Sequence, residues 1–252
     1  MGMKNAWLLF VVLFLFSCNY RKAVPILHVS EDVSLSHEDT IPPPPSPAVI
    51  AKPKMCTDME KMGLVDVRTL DVYIRVVLPY ASNDNFTGQA LYESSQYAYF
   101  QPDVAAMLAK ASALLREKYP KYRLLVLDAA RPLSVQQKMW DVVKGTPKNI
   151  YVANPKKTGL HNYGAAVDVT ITNDLGVELD MGTPFDFFGD EAQPAKEKEM
   201  LKQGKLTQKQ IDNRQLLRSV MNQAGFKTYL REWWHFNACS LEEAKRRYEV
   251  IP

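Results

Sequence analysis

The chain has 252 residues, of which 46% are hydrophobic and 23% charged, and a formal net charge of +3. A balance this close to neutral gives no basis for nucleic-acid binding, which demands a basic stripe. Four histidines and three cysteines leave few ways to build a metal or thiol site.

Met1 to Ser17 carries one early charge, Lys4, then the apolar run AWLLFVVLFLF, then Ser17 and Cys18. This is the layout of a secretory signal. The run is too short to span a bilayer comfortably, which takes about 20 residues. The stretch LFSC resembles a bacterial lipobox, in which Cys18 becomes the lipidated first residue; the alternative is an ordinary cleaved signal or a short anchor with Cys18 incidental. Every version places the body of the protein in the cell envelope, outside the cytoplasm, with a lipoprotein expected to face the periplasm. Residues 18–55 read as a linker. Their IPPPPSPAV run cannot join a helix or a sheet ladder and favours an extended form. His28 and His37 lie in this tether and read as solvated side chains. Cys56 and Cys239 stand at opposite ends of the folded part. In an oxidising compartment they could form a disulfide, and free buried thiols are the alternative.

Residues 56–252 suffice for one domain with a sizeable core. Val65 to Leu78 alternates at its end and predicts a strand. PYASNDNFTG is a polar loop. Pro102 opens a helix to about Tyr119, with an apolar stripe through Val104, Met107, Leu108, Ala111 and Leu115. Arg123 to Asp128 is a short buried strand, and Ser134 caps a helix that Gly145 stops. Val167 to Ile171 is another buried strand, followed by a hairpin turn at Asn173 to Gly176. MGTPFDFFGD is a loop, and Glu191 to Gly204 reads as a mobile charged surface segment. Thr207 and Gln210 form a capping box for a helix to about Ala224, closed by Gly225. Phe226 to Phe236 reads as a strand, and Ser240 with Glu243 caps a terminal helix. Hairpin signals outnumber crossover signals, so the expected class is α+β, a small mainly antiparallel sheet with helices packed on it.

The chemistry concentrates in GLHNYGAAVDVTI and REWWHF. Asp168 sits inside a run of Val, Ala and Ile, where a carboxylate is costly unless something neutralises it. With His161 and His235 it makes the ligand set of a catalytic zinc site that keeps one position open for water. Glu232, three residues before His235, would be the base beside that water. On an ideal strand Glu232 and His235 point to opposite faces, which predicts a bend, a bulge or a loop position for Glu232. Trp233 and Trp234 would pack around that irregularity. Arg131 ends LDAAR just past a buried strand and can hold a developing oxyanion; Asp128 orients a neighbour.

The blocks LHNYGAAVDVT, EWWHF, LDAARP, LDMGTPFDFF and PYASNDNFTG together resemble the D-alanyl-D-alanine dipeptidases. These are zinc enzymes related to zinc D,D-carboxypeptidases and to the hedgehog signalling domain. The resemblance implies one zinc held by His161, Asp168 and His235, Glu232 as general base and acid, and Arg131 as the transition-state clamp. It also implies that Tyr80 and Asp186 hold the ammonium group of a small D-amino-acid dipeptide. The chain departs from the resistance enzymes at Gly159, where they usually carry Ser, and at Ala130, where they have Tyr. Both departures are expected near the end of the pocket that receives the substrate. Peptidases trimming longer peptidoglycan stems, and a non-catalytic binder of cell-wall peptides, are the rival readings.

Overall fold

The structure is a computed structural model that describes residues 52–252. The leader, Cys18, the proline run, His28 and His37 lie outside the described residues.

Helix α1 (Lys54–Lys61) leads into a two-stranded ribbon of β1 (Val65–Asp66) and β3 (Tyr99–Phe100). The principal sheet has five strands in the order β2 (Arg75–Val76), β4 (Arg123–Asp128), β5 (Ala166–Thr172), β7 (His235–Asn237), β6 (Lys227–Thr228). Only β2 and β4 are parallel; the other pairs are antiparallel. Helices α2 (Pro102–Lys118) and α5 (Gln208–Ala224) pack against each other and share one apolar cluster with the sheet. The remaining helices are α3 (Leu133–Val143), α4 (Glu197–Lys202) and α6 (Leu241–Arg247). The α+β class expected from the sequence is the class observed.

Strand β5 is buried at all seven positions, yet its two faces differ. Val167, Val169 and Ile171 enter the apolar core with Leu108, Leu115 and Leu217. Ala166, Asp168, Thr170 and Thr172 face the other way, because side chains alternate along a strand. Strand β4 pairs Val126 with Val169, then shifts register so that Asp128 pairs with Asp168. A bulge of this kind re-aims a side chain, and here it sends Asp128 to the polar face.

Several expectations are corrected. Val65 to Leu78 is not one strand: Asp66 accepts from the Arg68 N–H and Asp71 from the Tyr73 N–H, and these local turns divide it into β1 and β2. Phe226 to Phe236 is a hairpin of β6 and β7 rather than a single strand. Ser134 lies inside the first turn of α3, whose preceding residue is Pro132, and supplies no cap. Glu191 to Gly204 is ordered around α4, where Met200 is buried and Glu197 binds Arg218 through two hydrogen bonds of 2.7 and 2.8 Å. Cys56 and Cys239 are free thiols buried in separate apolar clusters, so the disulfide considered above is absent. The capping box of α5 and its left-handed Gly225 stop are as expected.

Candidate active site

Strands β5 and β7 pair Asp168 directly with His235, which puts both side chains on one face as neighbours. His235 Nδ1 lies 2.8 Å from Asp168 Oδ1. His161 arrives from a 3-10 turn, Leu160–Tyr163, that ends at Gly164 in the left-handed conformation. Its Nε2 is 3.2 Å from His235 Nδ1 and 3.4 Å from Asp168 Oδ1. One ligand atom from each of the three lies within 4.8 Å of the others.

The outer nitrogens settle what the inner ones present. His161 Nδ1 is 2.7 Å from the Ala129 carbonyl, which can only accept, so Nδ1 carries the proton and Nε2 offers a lone pair. His235 Nε2 is 2.8 Å from Asn237 Oδ1, which leaves Nδ1 as the inward donor atom. Two imidazole lone pairs and a carboxylate oxygen then converge on one point. A proton can bridge only two of them, whereas a divalent cation serves all three, and this donor set suits such an ion. Burial opposes charge on Asp168, but His161 and His235 outweigh it and hold the carboxyl far below its usual range.

Glu232 occupies the turn before β7, so the irregularity expected between it and His235 is present as a loop position. Its carboxylate stands 4.0 Å from His235 Nδ1. Burial lifts its pKa to about 8; His235 pulls the other way, and Asp168 adds to the rise. Trp233 and Trp234 are buried around it in an edge-to-face pair.

Arg131 follows β4. Its Nε and Nη2 both donate to Asp128 Oδ2, and its Nη1 donates to Gln136 Oε1 at 2.9 Å. Asp128 is fully buried; its other oxygen accepts from the Tyr92 hydroxyl at 2.6 Å and the Ala129 N–H at 2.9 Å. The neighbour that Asp128 orients is therefore Arg131. The guanidinium sits 5.7 Å from the Tyr80 ring centre, and the Tyr80 hydroxyl donates to Asp186 Oδ2 at 2.5 Å. Asp186 is held at φ +58°, a left-handed conformation uncommon for a residue with a side chain. Burial lifts its pKa to about 7, against the Tyr80 hydrogen bond that lowers it.

His161, Asp168, His235, Glu232, Arg131, Tyr80 and Asp186 all line one cavity of about 340 Å³. Phe86, Tyr151 and Phe188 form an aromatic wall, with Phe188 5.2 Å from Phe86 and 5.0 Å from Tyr151. Gly159 lines the cavity, and a Cβ there would approach Ala153 Cβ to 3.1 Å. Ala130 does not line it; its side chain packs with Cys56, Met59 and Tyr99 in a separate cluster, which corrects the expected placement. Sequence reading missed Asn237, Gln136 and Tyr92. Asn237 had a signal, since position i+2 on a strand shares the face of the ligand at position i.

An α+β domain that gathers two imidazoles, a carboxylate and a buried glutamate in one cleft has the equipment of a metallopeptidase. The family model described as D-ala-D-ala dipeptidase matches residues 60–251, and the chain belongs to that family. It is 30% identical to the D-alanyl-D-alanine dipeptidase of Escherichia coli (strain K12) over 180 residues, 69% of this chain and 83% of that protein. It is also 30% identical to a protein of the same name from Synechocystis sp., over 53% of this chain and 66% of the relative. A third such dipeptidase, from Enterococcus faecium, is 29% identical over 62% of this chain and 82% of its own length.

Two outcomes follow from this geometry. Asn237→Leu keeps the branched outline but removes the acceptor for His235 and lowers metal affinity about 10- to 100-fold in a chelator competition, while Asn237→Asp retains it. Equal affinity in the Leu variant would deny Asn237 that role. Asp186, with a folded pKa of about 7 against an ordinary 3.8, keeps a proton that the unfolded chain releases. In the metal-free protein its contribution to stability is therefore lost as pH rises from about 4 to about 7. Urea unfolding should show the advantage of Asp186→Asn over wild type growing across that window and level above it.

Proposed function

We propose that the chain is a zinc-dependent D-alanyl-D-alanine dipeptidase. The observation that carries this reading is that the His161–Asp168–His235 cluster and the Tyr80–Asp186 pair face one another's substrate space in a single cavity. In this reading His161, Asp168 and His235 hold the zinc. Bound there, the ion supplies Lewis acidity towards the scissile carbonyl and makes a water acidic enough to attack near neutral pH.

The chain's own residues do the rest. Glu232 takes the proton from the attacking water and passes it to the leaving amine, a task suited to a carboxyl whose pKa burial has raised towards neutrality. Arg131, held rigid by Asp128 and Gln136, offers positive charge to the carbonyl oxygen as it becomes an oxyanion. Asp186 and the Tyr80 hydroxyl receive the substrate's ammonium group. A nearby cation stabilises the ionised carboxylate, so substrate arrival drives Asp186 to its charged form. An amine reader at a fixed distance from the scissile bond favours dipeptides over longer stem peptides. Retained by a lipid on Cys18 and spaced by the proline run, the domain would work in the cell envelope on small wall-derived dipeptides.

Glu232→Gln should keep stoichiometric zinc and lose at least about 100-fold in turnover of D-Ala-D-Ala. Turnover near wild type in a zinc-loaded Gln variant would refute the assignment, and faster cleavage of a muropeptide than of the dipeptide would move the substrate to the longer stems.

A further inference from the structure

The core encloses a charged side chain with an unpartnered donor, Arg214. It is fully buried on α5, a helix that also buries Ile211, Leu217, Val220 and Met221. Its nearest carboxylate, Glu197, stands 3.5 Å away and is already engaged by Arg218 at 2.7 Å. Its Nη2 has no hydrogen-bond partner. Burying a guanidinium under these terms costs stability that an apolar residue would not. The placement calls for a compensating role.

What Arg214 touches supplies one. Its Nε donates to the Met181 carbonyl at 2.6 Å, and its Nη1 donates to the Glu191 carbonyl at 2.9 Å. These two carbonyls bracket the loop that carries Asp186 and Phe188. No backbone N–H reaches either of them among the described residues, so the guanidinium is the donor that each carbonyl has. The guanidinium also lies 5.8 Å from the ring centre of Trp233, the neighbour of Glu232. Trp233 in turn donates from Nε1 to Thr183 Oγ1 at 2.9 Å and from its backbone N–H to the Ala192 carbonyl at 3.1 Å. Asn213 adds a bond from Nδ2 to the Asp180 carbonyl at 2.8 Å. One face of α5 therefore holds both ends of the Asp186 loop, and does so beside the segment that bears Glu232 and His235.

Asp186 is the one non-glycine residue of this loop with a positive φ, at +58°. Such a conformation persists only where the surroundings impose it. The distance from Asp186 to the hydrolytic centre decides which substrate length fits, so the loop must be fixed relative to β7 as well as internally ordered.

We propose that Arg214, with Trp233 beside it, is a positioning residue for recognition of the substrate's amino end: it fixes the Asp186 loop against the hydrolytic centre. This rests on the reading of Asp186 as the ammonium partner. Loosening the loop weakens a contact made equally in the ground and transition states, so the loss falls on KM and leaves kcat.

The test is steady-state kinetics on D-Ala-D-Ala with the zinc-loaded chain. Arg214→Met removes both hydrogen bonds and should raise KM about 10- to 100-fold, with kcat within about 3-fold and zinc content unchanged. Arg214→Lys, which can reach one carbonyl, should fall between Met and wild type. Thr183→Val frees the loop from Trp233 without leaving a large cavity and should raise KM in the same sense; it decides the matter should Arg214→Met fail to fold. Asp186→Asn should raise KM on its own, and adding Arg214→Met or Thr183→Val to it should make KM no worse. If Asp186→Asn raises KM while the other variants do not, or if their effects multiply with it, the positioning role is overturned and the amine reading stands. If Asp186→Asn leaves KM unchanged, both fall.

Discussion

Everything in this domain is arranged around a cross-strand pair, Asp168 on β5 opposite His235 on β7. A carboxylate in the middle of a fully buried strand is tolerable only with positive or hydrogen-bonding neighbours. The strand meets that demand by using its two faces differently. Val167, Val169 and Ile171 bind the sheet to α2 and α5, and the alternate positions line the polar side where the histidines sit. The apolar face thus supplies the rigidity that the polar face needs, since a ligand set must be held to within a fraction of an ångström.

Four further charged groups are organised by the same logic, each with its own environment. Asp128 reaches the polar face through the bulge in β4 and is saturated by Tyr92, Ala129 and Arg131, so it acts as a fixed counter-charge. Among the described residues no Lys or Arg pairs with Glu232 or Asp186, and burial lifts their pKa values to about 8 and about 7. Groups whose environments push them towards neutrality are the ones able to exchange a proton or change charge when substrate arrives. Arg131 stays tied to Asp128 and Gln136, which costs it freedom and gives it direction.

Much of this was legible in the chain. The strand at Arg123–Asp128, the helix opened by Pro102 and the capping box at Thr207 were read from local signals that the tertiary structure leaves intact. The centre was legible because histidine is scarce here and a carboxylate inside an apolar run needs a partner, and the break between Glu232 and His235 followed from the strand's period of two. The missing parts depend on distant contacts. Side chains of Asp66 and Asp71 divide an alternating stretch that pattern alone reads as continuous. Glu191 to Gly204 looked mobile because its charges were visible and their partner, Arg218 on α5, was not. Ala130 and Gly159 flank the same motifs, but only the fold shows that one faces the cavity and the other faces Cys56 and Met59.

The account depends above all on one ion at the meeting point of His161, Asp168 and His235. X-ray absorption at the zinc edge, on the purified full chain reconstituted with one equivalent of zinc, tests this most directly. The predicted spectrum has two imidazole nitrogens and light oxygen ligands at about 2.0–2.2 Å, and it loses one imidazole in a His235→Ala variant. A spectrum dominated by sulfur at about 2.3 Å, or one unchanged by His235→Ala, would contradict it.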